Sequence, residues 1–276
     1  MSTQRPLRAR VAQLAVEFIV AVAVAIVLFP FLWIFLASIK PPHLVAEPDV
    51  WLFTPSLANW SDVLLRSDVP QNILNSLIVS VATVAIALLL GCPAAYAFSR
   101  FKAGGGTRFA ILAAEMMPPA ILILPLFLVF YRLGLIDSLA GVIIAHLTLV
   151  MPVVTWFLIG FFDDVPRELE EQAMIDGYTQ FQAFYKVVLP TIRPGVAAAA
   201  VFGFVLSWND LFYALILTGG ESRTLPVAIA GFWTFRGVDM GKMAVAILLA
   251  IVPILVVSFF IQKHLIRGLG GGAVKT

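Results

Sequence analysis

Six long stretches of mostly apolar residues constrain this chain more than any other feature. They cover residues 14–39, 72–98, 109–131, 138–162, 195–218 and 243–263. Each has at least the roughly 20 residues that a helix needs to cross a bilayer. Lipid offers no partner to unpaired backbone groups, and the stretches lack the alternating pattern of barrel strands. We therefore expect an all-α membrane protein with a bundle of six transmembrane helices.

The composition agrees with a membrane protein and argues against other classes. The chain is 61% hydrophobic and 12% charged, whereas soluble domains are nearer half apolar and a quarter charged. A net charge of +2 without a basic, aromatic-rich stripe does not favour a nucleic-acid partner. The single cysteine, Cys92, cannot form a disulfide within the chain.

The first apolar stretch is expected to be a retained span rather than a cleaved signal. Phe18–Ile39 is uncharged throughout, longer than the roughly 7–15 residues of a signal core. With the N-terminus inside, twelve of the 18 lysines and arginines fall on the inner side and six outside. The positive-inside rule then predicts cytoplasmic termini. The expected divisions are a segment 1–13, a transmembrane domain 14–263 and a tail 264–276.

One polar segment, from Pro166 to Pro194, interrupts the second half of the chain. We expect it to lie in the cytoplasm, within a loop of residues 163–194, and to form two short helices joined at Gly177. A glycine there can take the left-handed conformation that ends a helix. Thr179 and Gln182 form a capping-box pattern that opens the second helix, and Pro190 is expected to end it.

The first of these two helices is strongly acidic. Asp163 and Asp164 precede it at positions typical of caps, and Pro166 suits its first turn. Its opening turns then carry three glutamates that the helix dipole favours, Glu168, Glu170 and Glu171. The apolar face is too small to fold alone, which indicates that the segment docks on a partner.

No catalytic or metal-binding constellation is evident. His43, His146 and His264 are scattered and lack metal-ligand spacing. The glycine-rich tail that ends at Lys275 resembles a phosphate-binding loop, but Val274 precedes the lysine and no helix can follow. We therefore expect the chain itself not to be an enzyme and to hold no cofactor or metal.

Ionisable groups inside membrane spans are functional candidates by default. Glu17 and Glu115 lie near span ends, where they can reach water. Asp210 lies deeper, beside Ser207, Trp208 and Asn209. This cluster could line a polar path for a hydroxylated solute, or it could clamp two helices together by hydrogen bonds. His146 is more typical of a helix contact than of a proton relay.

The polar segment also carries a family resemblance. Glu171-Gln172-Ala173, Gly177, Val187, Leu189 and Pro190 match the spacing of the EAA signature of ABC importer permeases. Gln172 and Val187 depart mildly from that signature. The six stretches, the Trp208-Asn209-Asp210 segment and the tail extend the resemblance over nearly the whole chain. It is similar to the carbohydrate-uptake branch, in particular the shorter permease of maltose-type importers.

This resemblance implies a type I importer permease fold with a cytoplasmic coupling-helix loop. The loop would seat in a groove of a separate ATPase dimer, which would hold ATP and magnesium. The residues expected to couple are Glu168, Glu170, Glu171, Ala173, Asp176, Gly177, Leu189 and Pro190. Gly272 and Lys275 of the tail would also reach the ATPase.

Further partners follow from the same resemblance. A second homologous permease, an external solute-binding protein, membrane lipid and a sugar-like solute are implied, in a bacterial or archaeal cytoplasmic membrane. The alternatives are an ABC permease for amino acids, phosphate or peptides, and an ion-coupled secondary transporter that uses Asp210, Glu115 or His146. A membrane enzyme would need a clustered polar active site, and none is evident.

Overall fold

The computed structural model of the chain describes residues 7–47, 49–101, 106, 109, 113, 118–234 and 237–270, with side chains described between residues 13 and 259. Helices dominate, as the apolar stretches predict. In chain order they are α1 (Leu7–Ile39), α2 (Ala58–Leu65), α3 (Val69–Arg100), α4 (Pro119–Leu133), α5 (Leu139–Asp163), α6 (Glu168–Ile175), α7 (Gln180–Ala183), a π-helical turn (Phe184–Val188), α8 (Leu189–Thr191), α9 (Arg193–Trp208), α10 (Phe212–Leu217), α11 (Leu225–Ala230) and α12 (Met240–Gly270). A two-stranded antiparallel hairpin, β1 (Trp233–Thr234) and β2 (Gly237–Val238), precedes α12.

The chain divides into two compact units. One consists of Asp68–Gly231 with Ala250–Thr276, and its core is formed where α3, α5 and α9 pack together. Gly203 marks the crossing of these three helices. A Cβ at Gly203 would lie 3.0 Å from Val150, 3.1 Å from Val154 and 3.4 Å from Val84, so a larger residue would push the helices apart. The fit is typical of membrane helices, which use small residues at close contacts.

The other unit consists of Met1–Ser67 with Phe232–Leu249. Asn59 of α2 donates from Nδ2 to the carbonyls of Ser38 (3.3 Å) and Lys40 (2.8 Å), which satisfies the end of α1. The short helix α2 forms in the segment that follows Lys40. Gly241 is needed for this packing, because a Cβ would lie 2.6 Å from the Asn59 side-chain nitrogen.

Four helices in the described part of the chain are long and apolar enough to cross a membrane. They are Gln13–Ile39, Val69–Arg100, Leu139–Asp163 and Met240–Phe259. Gln180–Thr191 and Arg193–Trp208 would count as a fifth if the pair, bent by 76°, is one span. The third expected span, 109–131, starts mostly outside the described residues, and only the shorter α4 represents it.

The fifth expected span, 195–218, is not continuous. The helix stops at Trp208 and restarts at Phe212. Oδ1 of Asp210 accepts the backbone N–H groups of Tyr213 (3.0 Å) and Ala214 (3.4 Å), so the carboxylate serves the first turn of α10. The prediction from hydropathy was wrong here because a single carboxylate can start a new helix inside an apolar stretch.

Candidate functional site

The loop of residues 163–194, called the polar loop below, folds as two helical pieces joined at Gly177. Gly177 has a φ of +91° and follows the end of α6. The N–H of Tyr178 bonds to the carbonyl of Ala173 at 3.0 Å, which closes the helix end. The predicted capping box is confirmed: Gln182 N–H donates to Thr179 Oγ1 (3.3 Å), and Thr179 N–H donates to Gln182 Oε1 (2.9 Å).

Pro190 does not end the second piece, contrary to the sequence-based expectation. The helix widens into the π-helical turn Phe184–Val188 and continues through Leu189 and Pro190 to Thr191. Proline has no N–H for the carbonyl four residues earlier, so a wider turn just before it keeps the helix together. The change of direction comes only after Thr191, where the path bends by 76° into α9.

A buried arginine holds the base of the polar loop. The Nε of Arg100, at the end of α3, is paired with Oε1 of Glu170 in α6, and Tyr96 donates its hydroxyl to Oε2 of Glu170 at 2.8 Å. The two terminal nitrogens of Arg100 each donate at 3.0 Å to a carbonyl, of Phe162 and of Val165. One guanidinium therefore joins α3, the end of α5 and the first helix of the polar loop.

Aromatic rings complete this base. Tyr96, Phe162 and Phe184 pack together, with ring centroids 4.7 Å apart for Tyr96 and Phe184 and 5.7 Å for Tyr96 and Phe162. Ser99 adds a 2.6 Å hydrogen bond to Asp163. Aromatic pairs of this kind add to the stabilisation from area burial alone. The polar loop is thus fixed to the membrane helices on its inner side.

The structure corrects the roles expected for two residues of α6. Glu170 was grouped with the glutamates that face a partner, but it is buried (7% exposed) in the pair with Arg100. Ala173 was expected to permit close contact with a partner, yet it is also buried, so its small side chain serves packing within the chain. The helix itself starts at Glu168 without a side-chain cap, so Asp163 and Asp164 do not serve as its cap.

The polar loop also has an outer side, facing away from this base, that mixes charge with large exposed apolar groups. Glu168, Glu171, Asp176 and Gly177 are exposed, and Leu189 and Pro190 are half-buried. Ile175 is 84% exposed and Phe181 70% exposed. Apolar side chains this exposed, beside acidic ones, are typical of a surface that another protein covers.

The second candidate cluster, Ser207 to Asp210, is engaged inside the chain. Ser207 Oγ lies 2.8 Å from Nδ1 of His146, and Trp208 donates from Nε1 to the carbonyl of Ala250 at 3.1 Å. Asp210 Oδ1 lies 3.1 Å from His146 Nε2, at ion-pair distance but without the direction of a good hydrogen bond. Asn209 is exposed, and its amide bonds back to Val205. This geometry favours a clamp between helices at Ser207, Trp208 and Asp210.

Replacing Asp210 by alanine is expected to reduce assembly and transport to the same extent. The change removes the acceptor for two N–H groups of α10 and the charged neighbour of the buried His146, a loss of about 1.5–3 kcal/mol in the free energy of unfolding. Thermal unfolding and uptake measured side by side test this, with Asn209→Ala as the matched exposed control. Impaired uptake with an unchanged melting temperature would place Asp210 on the solute path instead.

A polar cavity of about 590 Å³ lies at the other end of α3. Asn72 and Arg100 are 28 residues apart on one helix, roughly 42 Å at the α-helical rise. The cavity is bordered by hydrogen-bonding side chains from α3 and from two loops, including Asp68, Gln71, Asn72, Asn75, Asp137 and Glu221. Asn75 fixes one loop by donating to the carbonyls of Glu221 (2.8 Å) and Arg223 (2.9 Å).

Asp137 organises the rim of this cavity. Its carboxylate accepts from the hydroxyl of Ser222 (2.5 Å) and from the N–H groups of Gly219 (2.8 Å) and Gly220 (3.1 Å). These donors, the Ser222 hydroxyl first, hold the pKa of Asp137 below its ordinary value. The carboxylate therefore stays charged at neutral pH and pins the turn after α4 to the segment after α10.

Sequence reasoning missed Arg100, Tyr96 and Asp137. Arg100 was counted only as a topology signal, and nothing local in the sequence marks its partner Glu170. The only sequence signal at Asp137 is an acid in the short turn between two apolar stretches. Three predicted residues, Glu115, Gly272 and Lys275, lie outside the described residues.

Comparison with known proteins gives one consistent family. Residues 87–271 match the family described as binding-protein-dependent transport system inner membrane component. The chain is 35% identical over 253 residues to the trehalose transport system permease protein SugB of Mycobacterium tuberculosis, covering 90% of this chain and 92% of that one. It is 32% identical over 253 residues to the sulfoquinovosyl glycerol transport system permease protein SmoH of Agrobacterium fabrum, covering 90% and 89%.

The fold has a solved counterpart as well. A bacterial ABC transporter involved in the import of the acidic polysaccharide alginate contains a chain that superposes with a TM-score of 0.78 at 21% identity, over 95% of this chain and 99% of that one. At this identity the likeness concerns the fold. Taken with the family match over residues 87–271 and the relatives above 30% identity, it establishes that the chain belongs to the binding-protein-dependent transport system inner membrane components, the permeases of ABC importers.

Proposed function

We propose that this chain is a permease subunit of an ATP-driven importer that moves a sugar or a related polyhydroxylated solute across the cytoplasmic membrane. It would cross the membrane six times with both termini in the cytoplasm. The observation that carries the proposal is the polar loop: its inner side is fixed to the membrane helices by Arg100, while its outer side exposes acidic and apolar groups.

The exposed side of the polar loop has the composition of a docking surface for a separate ATPase. Ile175 and Phe181 supply apolar contact area, and Glu168 and Glu171 supply charge for basic groups on the partner. The ATPase would bind ATP and magnesium, since the chain carries no nucleotide-binding motif. Gly272 and Lys275 of the tail are proposed to reach the same partner.

Movement of the ATPase would reach the solute path through the base of the polar loop. Arg100 connects α6 to the ends of both α3 and α5. A displacement of the polar loop would therefore move these two membrane helices with it as one rigid body. A ligand shifts a conformational equilibrium only by its differential affinity, so directional transport depends on the nucleotide cycle of the partner. One chain offers one polar loop, and an ATPase dimer has two grooves, which implies a second, homologous permease.

The solute class is supported by the relatives and by the polar cavity at the other end of α3. SugB and SmoH are named for trehalose and for sulfoquinovosyl glycerol, both rich in hydroxyl groups. Amide and carboxylate side chains such as Asn72, Gln71 and Asp68 can hydrogen-bond to hydroxyl groups. A solute-binding protein is proposed to deliver the solute at this end.

The proposal is tested by reconstituting the chain with its partner permease and ATPase in proteoliposomes. We expect uptake of a labelled disaccharide to need ATP in the compartment of the ATPase and a binding protein in the opposite one, and to resist a protonophore. Amino acids, phosphate and peptides serve as competing solutes. Uptake by the chain alone, or uptake abolished by the protonophore, would indicate an ion-coupled secondary transporter and contradict the proposal.

A further inference from the structure

A buried lysine that pairs with no carboxylate among the described residues lies in the unit formed by Met1–Ser67 and Phe232–Leu249. Lys40 follows the end of α1 and is only 7% exposed. Within the described residues its ammonium donates one hydrogen bond, to the carbonyl of Glu47 at 2.6 Å, and lies 5.7 Å from the centre of the Phe53 ring. An ammonium has three donors, and a buried charge without an opposite charge is costly.

Lys40 also lines a cavity of about 490 Å³, a size typical of ligand sites. It is the only charged side chain among the described residues that border this cavity. The remaining walls are apolar or aromatic and include Trp33, Leu36, Val50, Trp51 and Met240. Trp33 and Trp51 meet edge to face, with ring centroids 5.2 Å apart. Among the described residues, the cavity therefore has mostly apolar walls and one cationic side chain, Lys40.

Because it lies at the end of an apolar helix, the cavity is expected at the boundary between lipid and water. It lies at the end of the apolar helix Gln13–Ile39. The most apolar stretch of that helix has no residue buried inside the chain. Tryptophans concentrate at this depth in membrane proteins because the ring is apolar and the N–H is polar. A molecule that enters here would meet acyl chains on one side and headgroups on the other.

We propose that this cavity is a binding site for an anionic phospholipid. The phosphate would accept from the remaining donors of Lys40, which supplies the missing counter-charge, and one acyl chain would pack along Trp33, Leu36 and Val50. A free anion would leave the apolar walls uncovered, and a zwitterionic lipid would bring a second cation beside Lys40. This inference is independent of the transported solute.

The test is a lipid titration of the complete transporter followed by native mass spectrometry. Phosphatidylglycerol and phosphatidylcholine with identical acyl chains are compared on the wild type and on Lys40→Gln, whose amide can still donate to the Glu47 carbonyl. We expect the wild type to prefer phosphatidylglycerol, and Lys40→Gln to bind it roughly tenfold more weakly, as expected for one charge-assisted contact.

Two variants and one competitor make the result specific. Lys40→Arg should keep the preference. Lys242→Gln removes a cation of the same unit that pairs with Asp62 and Asp239 and should also leave the preference unchanged. Equal binding of the two lipids, or the same loss in both glutamine variants, would overturn the proposal. Displacement of the lipid by inorganic phosphate at similar concentration would overturn it too, because the site would then be one for a free anion.

Discussion

Replacing Arg100 by methionine is expected to lower the free energy of unfolding by about 3–5 kcal/mol and to abolish stimulation of the partner ATPase by the solute-binding protein. The variant leaves Glu170 buried without its counter-charge, and it removes the donors to the carbonyls of Phe162 and Val165. A lone buried charge costs far more than a pair contributes. The loss of stability should therefore exceed that caused by a substitution at an exposed position of the polar loop.

The measurement separates stability from coupling. Thermal unfolding of the purified complex reports the first, and ATP hydrolysis with and without loaded binding protein reports the second. Arg193→Met is the matched control for stability, because Arg193 is an exposed arginine at the end of the polar loop. It should shift the free energy of unfolding by less than about 0.5 kcal/mol.

A double variant, R100M with E170M, shows which function the pair serves. Apolar replacement of both partners of a buried ion pair is often close to neutral for stability, so most of the melting temperature should return. Stimulation of ATP hydrolysis should stay low, since the guanidinium that joins α6 to the ends of α3 and α5 is then absent. Normal stimulation in the double variant would mean that the polar loop transmits movement without this pair, contrary to the proposed route.

Much of the polar loop could be predicted because its signals are local. A glycine after a helical stretch and a threonine three residues before a glutamine each specify backbone geometry within one turn, and both predictions were confirmed. The pair of Arg100 and Glu170 spans 70 residues of sequence. No local rule connects two such positions, so Glu170 was expected to face a partner together with Glu168 and Glu171.

The transmembrane helices show the same limit. Hydropathy averages over about 19 residues, so it finds α3 and α5 well but cannot register the break at Asn209–Leu211. That break depends on where one carboxylate finds its donors. The Asp210 side chain reaches two N–H groups ahead of it and lies beside His146, 64 residues earlier in the chain. The apolar stretch therefore predicted helix on both sides of the break, but not the break itself.

Replacing Gly177 by valine is expected to uncouple the ATPase while leaving membrane insertion unchanged. Gly177 has a φ of +91°, and a Cβ there would meet nothing within 4 Å. Crowding is therefore not the cause of the effect. A β-branched residue is strained at this φ by about 1–3 kcal/mol, and the strain is relieved if the path between α6 and α7 changes. The exposed groups on either side of Gly177 would then no longer present one surface.

Docking should weaken in proportion to this strain. At about 1.4 kcal/mol per factor of ten, 1–3 kcal/mol corresponds to roughly 5- to 140-fold weaker binding of the ATPase, measured by titrating purified ATPase onto the permease in nanodiscs. Gly177→Asn should fall between glycine and valine, because asparagine tolerates positive φ better than other side chains. This ordering depends on backbone conformation alone.

The control is Gly160→Val, at an exposed helical position of α5 where a Cβ also meets nothing within 4 Å but φ is not positive. It adds the same side chain without the strain, so ATPase binding should stay near that of the wild type. If Gly177→Val binds the ATPase as tightly as Gly160→Val does, the polar loop is not the docking element. If asparagine and valine at 177 weaken binding equally, added bulk and not backbone strain is responsible, and the proposed role of the left-handed glycine is wrong.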